Sequence, residues 1–262
     1  MQTNLTTSHE LHRPPEPMPR ERCRLVAELA DNARSVREAQ SLRHDVFQAE
    51  YGVVFDSHDG LDRDTFDKHC RHLLVRDPNT GRVIATTRLL SGERAERAGG
   101  YYSELEFDMD NLKKSLSGRV LEIGRTCVHP DFRSGAAITV LWTALAELLL
   151  RENYTFLLGC ASITLVDGGA QFAGIMQRLR ANHMAPDNLR VTPRLAVTES
   201  NMVEDQPTMP PLLRSYMRMG AQICGEACWD PSFHCADVFV LLEVAKLSGK
   251  YANRFMGRSV NA

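Results

Sequence analysis

Between Leu121 and Trp142 the chain reads LEIGRTCVHPDFRSGAAITVLW, and this stretch limits the fold more than any other. Its first residues alternate in part between apolar and polar, the period of a strand. From Ala137 onward the apolar residues recur with the period of a helix. A short loop ending in Gly135, Ala136 and Ala137 joins the two. A helix that begins behind small residues exposes unpaired N–H groups and the positive end of its dipole, a natural seat for a phosphate. Arg133 adds a charge-assisted donor beside it. A plain strand-to-helix turn has the same pattern, so the loop alone does not set a function.

The rest of the chain supplies matching elements. Residues 23–31 read as an entering strand. Val36, Ala39, Leu42, Val46 and Phe47 recur at helical spacing from Ala33 to Tyr51, and Gly52 ends that helix. His72 to Val75 and Val83 to Leu90 flank the turn signal DPNTG as a hairpin. Residues 91–118 form a polar connection with a helical piece near Leu112. Strand Arg119–Val128, helix Ala137–Asn153, the largely apolar strand Phe156–Ile163 and a helix over 170–182 follow. Then come a strand over Leu189–Thr198, a helix over Leu212–Met219 stopped by Gly220, strands Gln222–Cys228 and Asp237–Val244, and a helix near Tyr251. The order predicts an α/β fold with a mixed central sheet flanked by helices. Residues 1–22, polar and proline-rich, are expected to be a disordered tail, and 23–262 one domain.

Charge and cysteines narrow the function classes. A formal net charge of -2 removes any bulk attraction to nucleic acid or to an anionic membrane. The seven cysteines are odd in number, lack a CxxC pair and sit partly in apolar runs such as LLGCASI, as in a reduced cytoplasmic protein. The N-terminus has no apolar signal core. The run from Ile138 to Leu150 falls short of the ~18 apolar residues of a membrane span and is interrupted by Thr139, Thr143 and Glu147.

Several separated motifs together resemble a known family: LRHDVF (42–47), DRDTFD (62–67), HLLV (72–75), TTRLL (86–90) and EIGRTCVHPDFR (122–133). They are similar to the bacterial ornithine N-acyltransferases of ornithine-lipid synthesis. They are also similar to the related acyl-homoserine-lactone synthases and N-acyl amino acid synthases, all on the GNAT acyltransferase fold. LWTALA, LLGCAS, PPLLRSYMRMGA and DPSFHCADVFVLL fit the ornithine branch best. The sequence GAA stands where the common GNAT loop has GxG.

The resemblance implies transfer of a fatty acyl chain, usually 3-hydroxylated, from the phosphopantetheine of acyl carrier protein to the α-amine of ornithine. It implies no metal and no permanently bound cofactor. On this reading Glu122 is the general base, because an α-ammonium must lose a proton before it attacks a thioester, and Arg125 belongs to the same catalytic motif. A structural ion pair is the plainer role for both, although their spacing on a strand puts them on opposite faces. Main-chain N–H groups near Cys127 and Val128 would hold the oxyanion, and Arg133, Gly135, Ala136 and Ala137 the donor. A covalent Cys127 is the alternative. Arg43, Arg88 and the acidic cluster Asp62, Asp64 and Asp67 would shape the acceptor side, where a second amine favours carboxylates. A solvated acidic loop is the competing reading. Trp142, Leu158, Cys160, Met176 and Leu179 are candidates for an acyl slot, though ordinary core is the commoner fate of such residues.

Acyl carrier protein is acidic, so Lys113, Lys114, Arg119, Arg133, Arg178 and Arg180 are candidates for its docking site. The amphipathic product allows peripheral contact with the inner membrane. The HxxxxD match of His72 and Asp77 is set aside, since a strand turns the two residues to opposite faces. The spacing of Cys224, Cys228, His234 and Cys235 fits no common zinc site. Competing functions are another N-acyl amino acid or lactone synthase, an acetyl-CoA-dependent N-acetyltransferase, and an inactive carrier-protein-binding module.

Overall fold

The computed structural model describes residues 24–55, 59–198, 204 and 206–247. The tail over 1–22, Cys23 and the helix near Tyr251 lie outside them. Strand β1 (Val26–Leu29) leads to helix α1 (Ala33–Tyr51). The Asn32 side chain caps α1 by accepting from the N–H groups of Arg34 and Ser35, and Gly52, at φ 65°, closes its other end. The hairpin β2 (Arg71–Arg76) and β3 (Val83–Ser91) turns on Asp77, whose carboxylate accepts from Asn79 N and Thr80 Oγ1. That turn role is the reason the HxxxxD pattern is not a catalytic pair.

The connection read as polar carries two short helices, α2 (Gly92–Ala98) and α3 (Asp110–Ser115), with a 3-10 turn (Tyr102–Leu105) and strand β4 (Phe107–Asp108) between them. Strand β5 (Val120–Val128), helix α4 (Ala136–Arg151), strand β6 (Phe156–Thr164) and helix α5 (Ala170–His183) follow as the periodicity predicts.

Two expected strands are corrected. The run Leu189–Thr198 keeps only β7 (Thr192–Pro193), because Pro193 has no N–H to extend a ladder. After α6 (Pro211–Met219), the run Gln222–Cys228 splits into β8 (Gln222–Ile223) and β9 (Cys228–Asp230). Between them Gly225 takes φ 136°, and a Cβ there would meet Val191 O at 2.6 Å. Strand β10 (Cys235–Glu243) closes the sheet.

The main sheet runs β1-β2-β3-β5-β6-β10-β8, with β9 also on β10, and β4 pairs β7 apart from it. Of its pairs, β5 and β6 are parallel and the rest antiparallel. On one face Leu141, Trp142, Leu145 and Leu149 of α4 pack with Leu73, Ile84, Leu89 and Leu121. On the other, Ala39, Leu42, Val46 and Phe47 of α1 pack with Leu74 and Cys127. Covered on both faces, every residue of β3 is buried.

Two irregularities open the sheet at its centre. Strands β5 and β6 pair only from Val120↔Phe156 to Ile123↔Gly159 and then part. Just beyond, Arg125 and Thr126 stand against Thr87 alone, a bulge in which Arg125 takes φ 51°. Gly159 marks the point of parting, since a Cβ there would lie 2.3 Å from Ile123 O. Gly159→Ala is therefore expected to push β5 and β6 apart at a cost of about 1–3 kcal/mol, read as a lower midpoint in thermal unfolding.

Candidate active site

The gap between β5 and β6 opens into a cleft of about 330 Å³, a normal size for a small-molecule site. Gly124 to Val128 of β5 line it along the edge that β6 has left. Alternate main-chain groups of this stretch point to that edge, as at any sheet edge, although Val128 O is already taken by Arg133.

At the base of the cleft Glu122 is 3% exposed. Its Oε1 accepts from Ser103 N at 2.8 Å and from Ser103 Oγ at 2.6 Å, and its Oε2 accepts from Tyr102 N at 2.7 Å. Three donors aimed at one side chain fit an ionised carboxylate. Burial pushes its pKa above the ordinary carboxylate range, and the Ser103 and Tyr102 hydrogen bonds and the Arg88 charge pull against that shift. Among the described residues Oε2 accepts from Tyr102 N alone, and it belongs to a residue that lines the cleft, so it has capacity for another donor. The group is a carboxylate with raised proton affinity beside an open channel, which is what a general base requires.

Behind this wall lies a closed charge network. Arg43 is fully buried and pairs with Asp62 at 2.8 Å and Asp67 at 3.0 Å. Arg88 bonds both oxygens of Asp64 at 2.7 Å and reaches Asp67 at 3.4 Å. Arg125 lies 3.4 Å from Asp62 and 3.6 Å from Asp64, with its guanidinium over the rings of Tyr102 and Phe233, 5.0 Å from each centroid. Three arginines thus meet three aspartates, and the cluster carries no surplus charge for a ligand. Arg88 and Arg125 line the cleft; Arg43, Asp62, Asp64 and Asp67 do not. The network orders the loop and fixes the two cleft arginines.

Among the expected donor-binding residues, Cys127, Val128, Arg133 and Gly135 line the cleft, while Ala136 and Ala137 do not. Gly135, at φ 98°, turns the chain into α4. Arg133 is turned back onto its own loop, where it donates to Val128 O and pairs with Glu50. Of the expected acyl-slot residues, Cys160 alone reaches the cleft. Trp142 of α4, Met176 and Leu179 of α5 and Leu158 of β6 are core, each held in a packed cluster outside the cleft. Val46, Phe47, Tyr51, Ile138, Leu212 and Phe233 form the apolar wall instead. Cys224 and Cys228 pack with Phe107 and Phe239, away from Cys235 beside Phe47, so the four residues considered for zinc do not converge.

A family model described as "Acetyltransferase (GNAT) domain" matches residues 42–143, the span that holds β2, β3, β5 and the start of α4. The L-ornithine N(alpha)-acyltransferase of Rhodobacter capsulatus is 34% identical over 252 residues, covering 88% of this chain and 95% of its own length. The chain belongs to the L-ornithine N(alpha)-acyltransferase family. The enzyme of that name from Brucella abortus is 33% identical over 257 residues, 88% of this chain and 91% of its own.

Among solved structures the AHL synthase LasI superposes with a TM-score of 0.53 at 13% identity, over 87% of this chain and 96% of its own. FeeM, an N-acyl amino acid synthase from uncultured soil microbes, gives 0.51 at 10% identity, over 85% and 92%. Both establish that the fold of this acyltransferase is the expected GNAT-like α/β fold.

In this member of the L-ornithine N(alpha)-acyltransferase family the cleft includes residues that the sequence reading missed. Tyr102 and Ser103, which hold Glu122, fall in the segment read as a polar connection. The available signal was the apolar content of that segment: Tyr101, Tyr102, Phe107, Met109 and Leu112. Glu106, Ser162, Asp230 and Asp237 also line the cleft. Asp237 was visible as a lone carboxylate heading an apolar strand.

Proposed function

We propose that this chain transfers a fatty acyl group from the phosphopantetheine thioester of acyl carrier protein to the α-amine of ornithine. One conjunction carries the reading. A buried carboxylate and an unpaired strand edge share a single cleft, in a chain 34% identical to an L-ornithine N(alpha)-acyltransferase over nearly its full length.

The steps are assigned as follows. The pantetheine arm lies along Gly124–Val128, and its amides bond the free edge of β5. The acceptor α-ammonium, with a pKa near 8 in water, is mostly protonated at neutral pH. Glu122 takes its proton directly or through one water, and the nitrogen attacks the thioester carbonyl. The main-chain N–H of Val128 is assigned to the developing oxyanion, while that of Cys127 is turned to Thr86 on β3. Collapse breaks the C–S bond, the nitrogen gives up its second proton to the leaving thiolate, and Glu122 returns the first to solvent. Burial pushes the Cys127 thiol up to about 12, so it stays protonated and supports direct attack over an acyl-cysteine.

For the carrier protein, exposed Lys114 offers a basic contact. Lys113 is held by Glu104 at 2.7 Å, and Arg119 lies over the Tyr154 ring. Among the described residues no helix is long and apolar enough to cross a membrane. Contact with the inner membrane is assigned to the amphipathic product rather than to an anchor.

The test is an assay with purified protein. Acylated carrier protein and acyl-CoA are each supplied with a panel of amino acids, and products are identified by mass spectrometry. Long-chain Nα-acyl-ornithine from the carrier protein is expected. Efficient acetylation from acetyl-CoA without a long-chain amide would overturn the assignment.

A further inference from the structure

The cleft has a second carboxylate group, distinct from Glu122 and outside the arginine network. Glu106 comes from the end of the 3-10 turn before β4, Asp230 from the end of β9 and Asp237 from β10. Three separate segments bring their acids to one wall of one cavity. Asp237 is 5% exposed, and its carboxyl lies within hydrogen-bonding reach of Glu106 and Ser162. Glu106 Oε2 is shielded from solvent and has no donor among the described residues. The backbone there is held in place, since Arg194 N donates to Glu106 O at 2.7 Å.

Electrostatics make this wall unlike the aspartate cluster. The ion pairs of Arg43, Arg88 and Arg125 all go to Asp62, Asp64 and Asp67. Burial, together with the neighbouring acids, holds the Glu106 and Asp237 pKa values above the ordinary range, so the empty pair keeps a proton between its carboxyls. A cation entering the cleft would replace that proton and supply the donor that Oε2 lacks.

The position of the pair relative to the reacting centre selects the cation. A row of side chains crosses the cleft: Glu122, then Ser103, whose Oγ is 3.4 Å from Cys160 Sγ, then Cys160, then Glu106 and Asp237. An acceptor with its α-nitrogen at Glu122 would carry a short aliphatic side chain along this row toward the acidic pair.

We infer that Glu106 and Asp237, with Asp230 beside them, bind the distal ammonium of a diamino acid acceptor and set the preference for it over a neutral amino acid of the same length. This rests on the proposed ornithine acylation and names the residues that would make that acceptor specific. A site built to pair with an amine discriminates against the analogue lacking it, because its own buried groups are then left unmatched.

The experiment measures kcat/KM for ornithine and for norvaline, which has the same carbon skeleton without the distal amine. It compares the native chain with Glu106→Gln and Asp237→Asn. The native enzyme should prefer ornithine strongly. Each variant should raise KM for ornithine and reduce the ornithine-to-norvaline ratio by about tenfold or more. The melting temperature of each variant should hold or rise, because one of two crowded acids has been neutralised.

An unchanged ratio in both variants would overturn the assignment. So would loss of native turnover on chelation with recovery on added Zn²⁺, because the ligand atoms of Asp230, Cys235 and Asp237 lie within 4.8 Å of one another and would then be a metal site. If the native enzyme acylates no ornithine, the reading beneath falls, and this inference with it. An enzyme that acylates ornithine but whose variants keep their selectivity sinks this inference alone.

Discussion

Glu122→Gln is expected to lower kcat/KM for amide formation by about 10²–10⁴, the range contributed by a well-placed general base. The substitution keeps the shape of the side chain but presents an amide N–H₂ where Glu122 now accepts from Tyr102 N or from Ser103. A modest stability loss of about 1–3 kcal/mol is therefore expected as well. Two further readings separate chemistry from folding. The variant should still bind acylated carrier protein with an affinity near that of the native chain, because the donor contacts the β5 edge and the α4 loop rather than the Glu122 carboxylate. Raising the pH should recover part of its rate, since a larger fraction of the acceptor amine is then neutral without help. A variant that folds, binds carrier protein and turns over at the native rate would remove Glu122 as the base.

Arg43→Met should be the most destabilising single change in the acidic cluster. Arg43 is fully buried and is the cation that touches both Asp62 and Asp67, so its removal leaves two buried carboxylates short of a partner. Breaking a buried ion pair on one side costs about 3–5 kcal/mol. The double variant Arg43→Met with Asp67→Asn should recover part of that loss, which a double-mutant cycle in urea would resolve.

The pH dependence of stability follows from the same contacts. Burial alone would raise the Asp67 pKa, but Arg43 and Arg88 outweigh it and hold the carboxyl below its ordinary value. A depressed carboxyl stabilises the fold above its unfolded pKa of about 3.9, and that stability is lost as pH falls through the lower folded value. Without Arg43 the folded pKa rises, so acid unfolding should begin at a higher pH.

Much of the fold can be read from local periodicity because its long elements are amphipathic or wholly apolar. Helix α1 starts at Asn32 and stops at Gly52, signals that act within one turn of chain. Strand β6 and helix α4 were legible for the same reason. The short elements were not. Helix α3 showed as a helical piece near Leu112, but helix α2 and strand β4 have too few residues to show a period, and they depend on tertiary packing for their existence.

The candidate site divides in the same way. Glu122, Arg125 and Cys127 were visible because they stand in one contiguous motif on β5. The meeting of Ser103 and Glu106, from the 3-10 turn before β4, with Asp237 of β10 was hidden because it joins two elements far apart in sequence, and convergence has no local pattern. The aspartate cluster misled for a related reason. A string of acids looks available to a substrate until the arginines that meet it, drawn from α1, β3 and β5, are placed beside it.

The central claim is that the thioester sits where β5 leaves β6, with the acceptor nitrogen beside Glu122. The most direct measurement is a crystal structure with a bisubstrate analogue in which the α-nitrogen of ornithine is joined to an acylated pantetheine arm. The arm should lie along Gly124–Val128, with the joined nitrogen within one hydrogen bond or one bridging water of Glu122. An analogue bound elsewhere, or one whose nitrogen lies out of reach of Glu122, would contradict it.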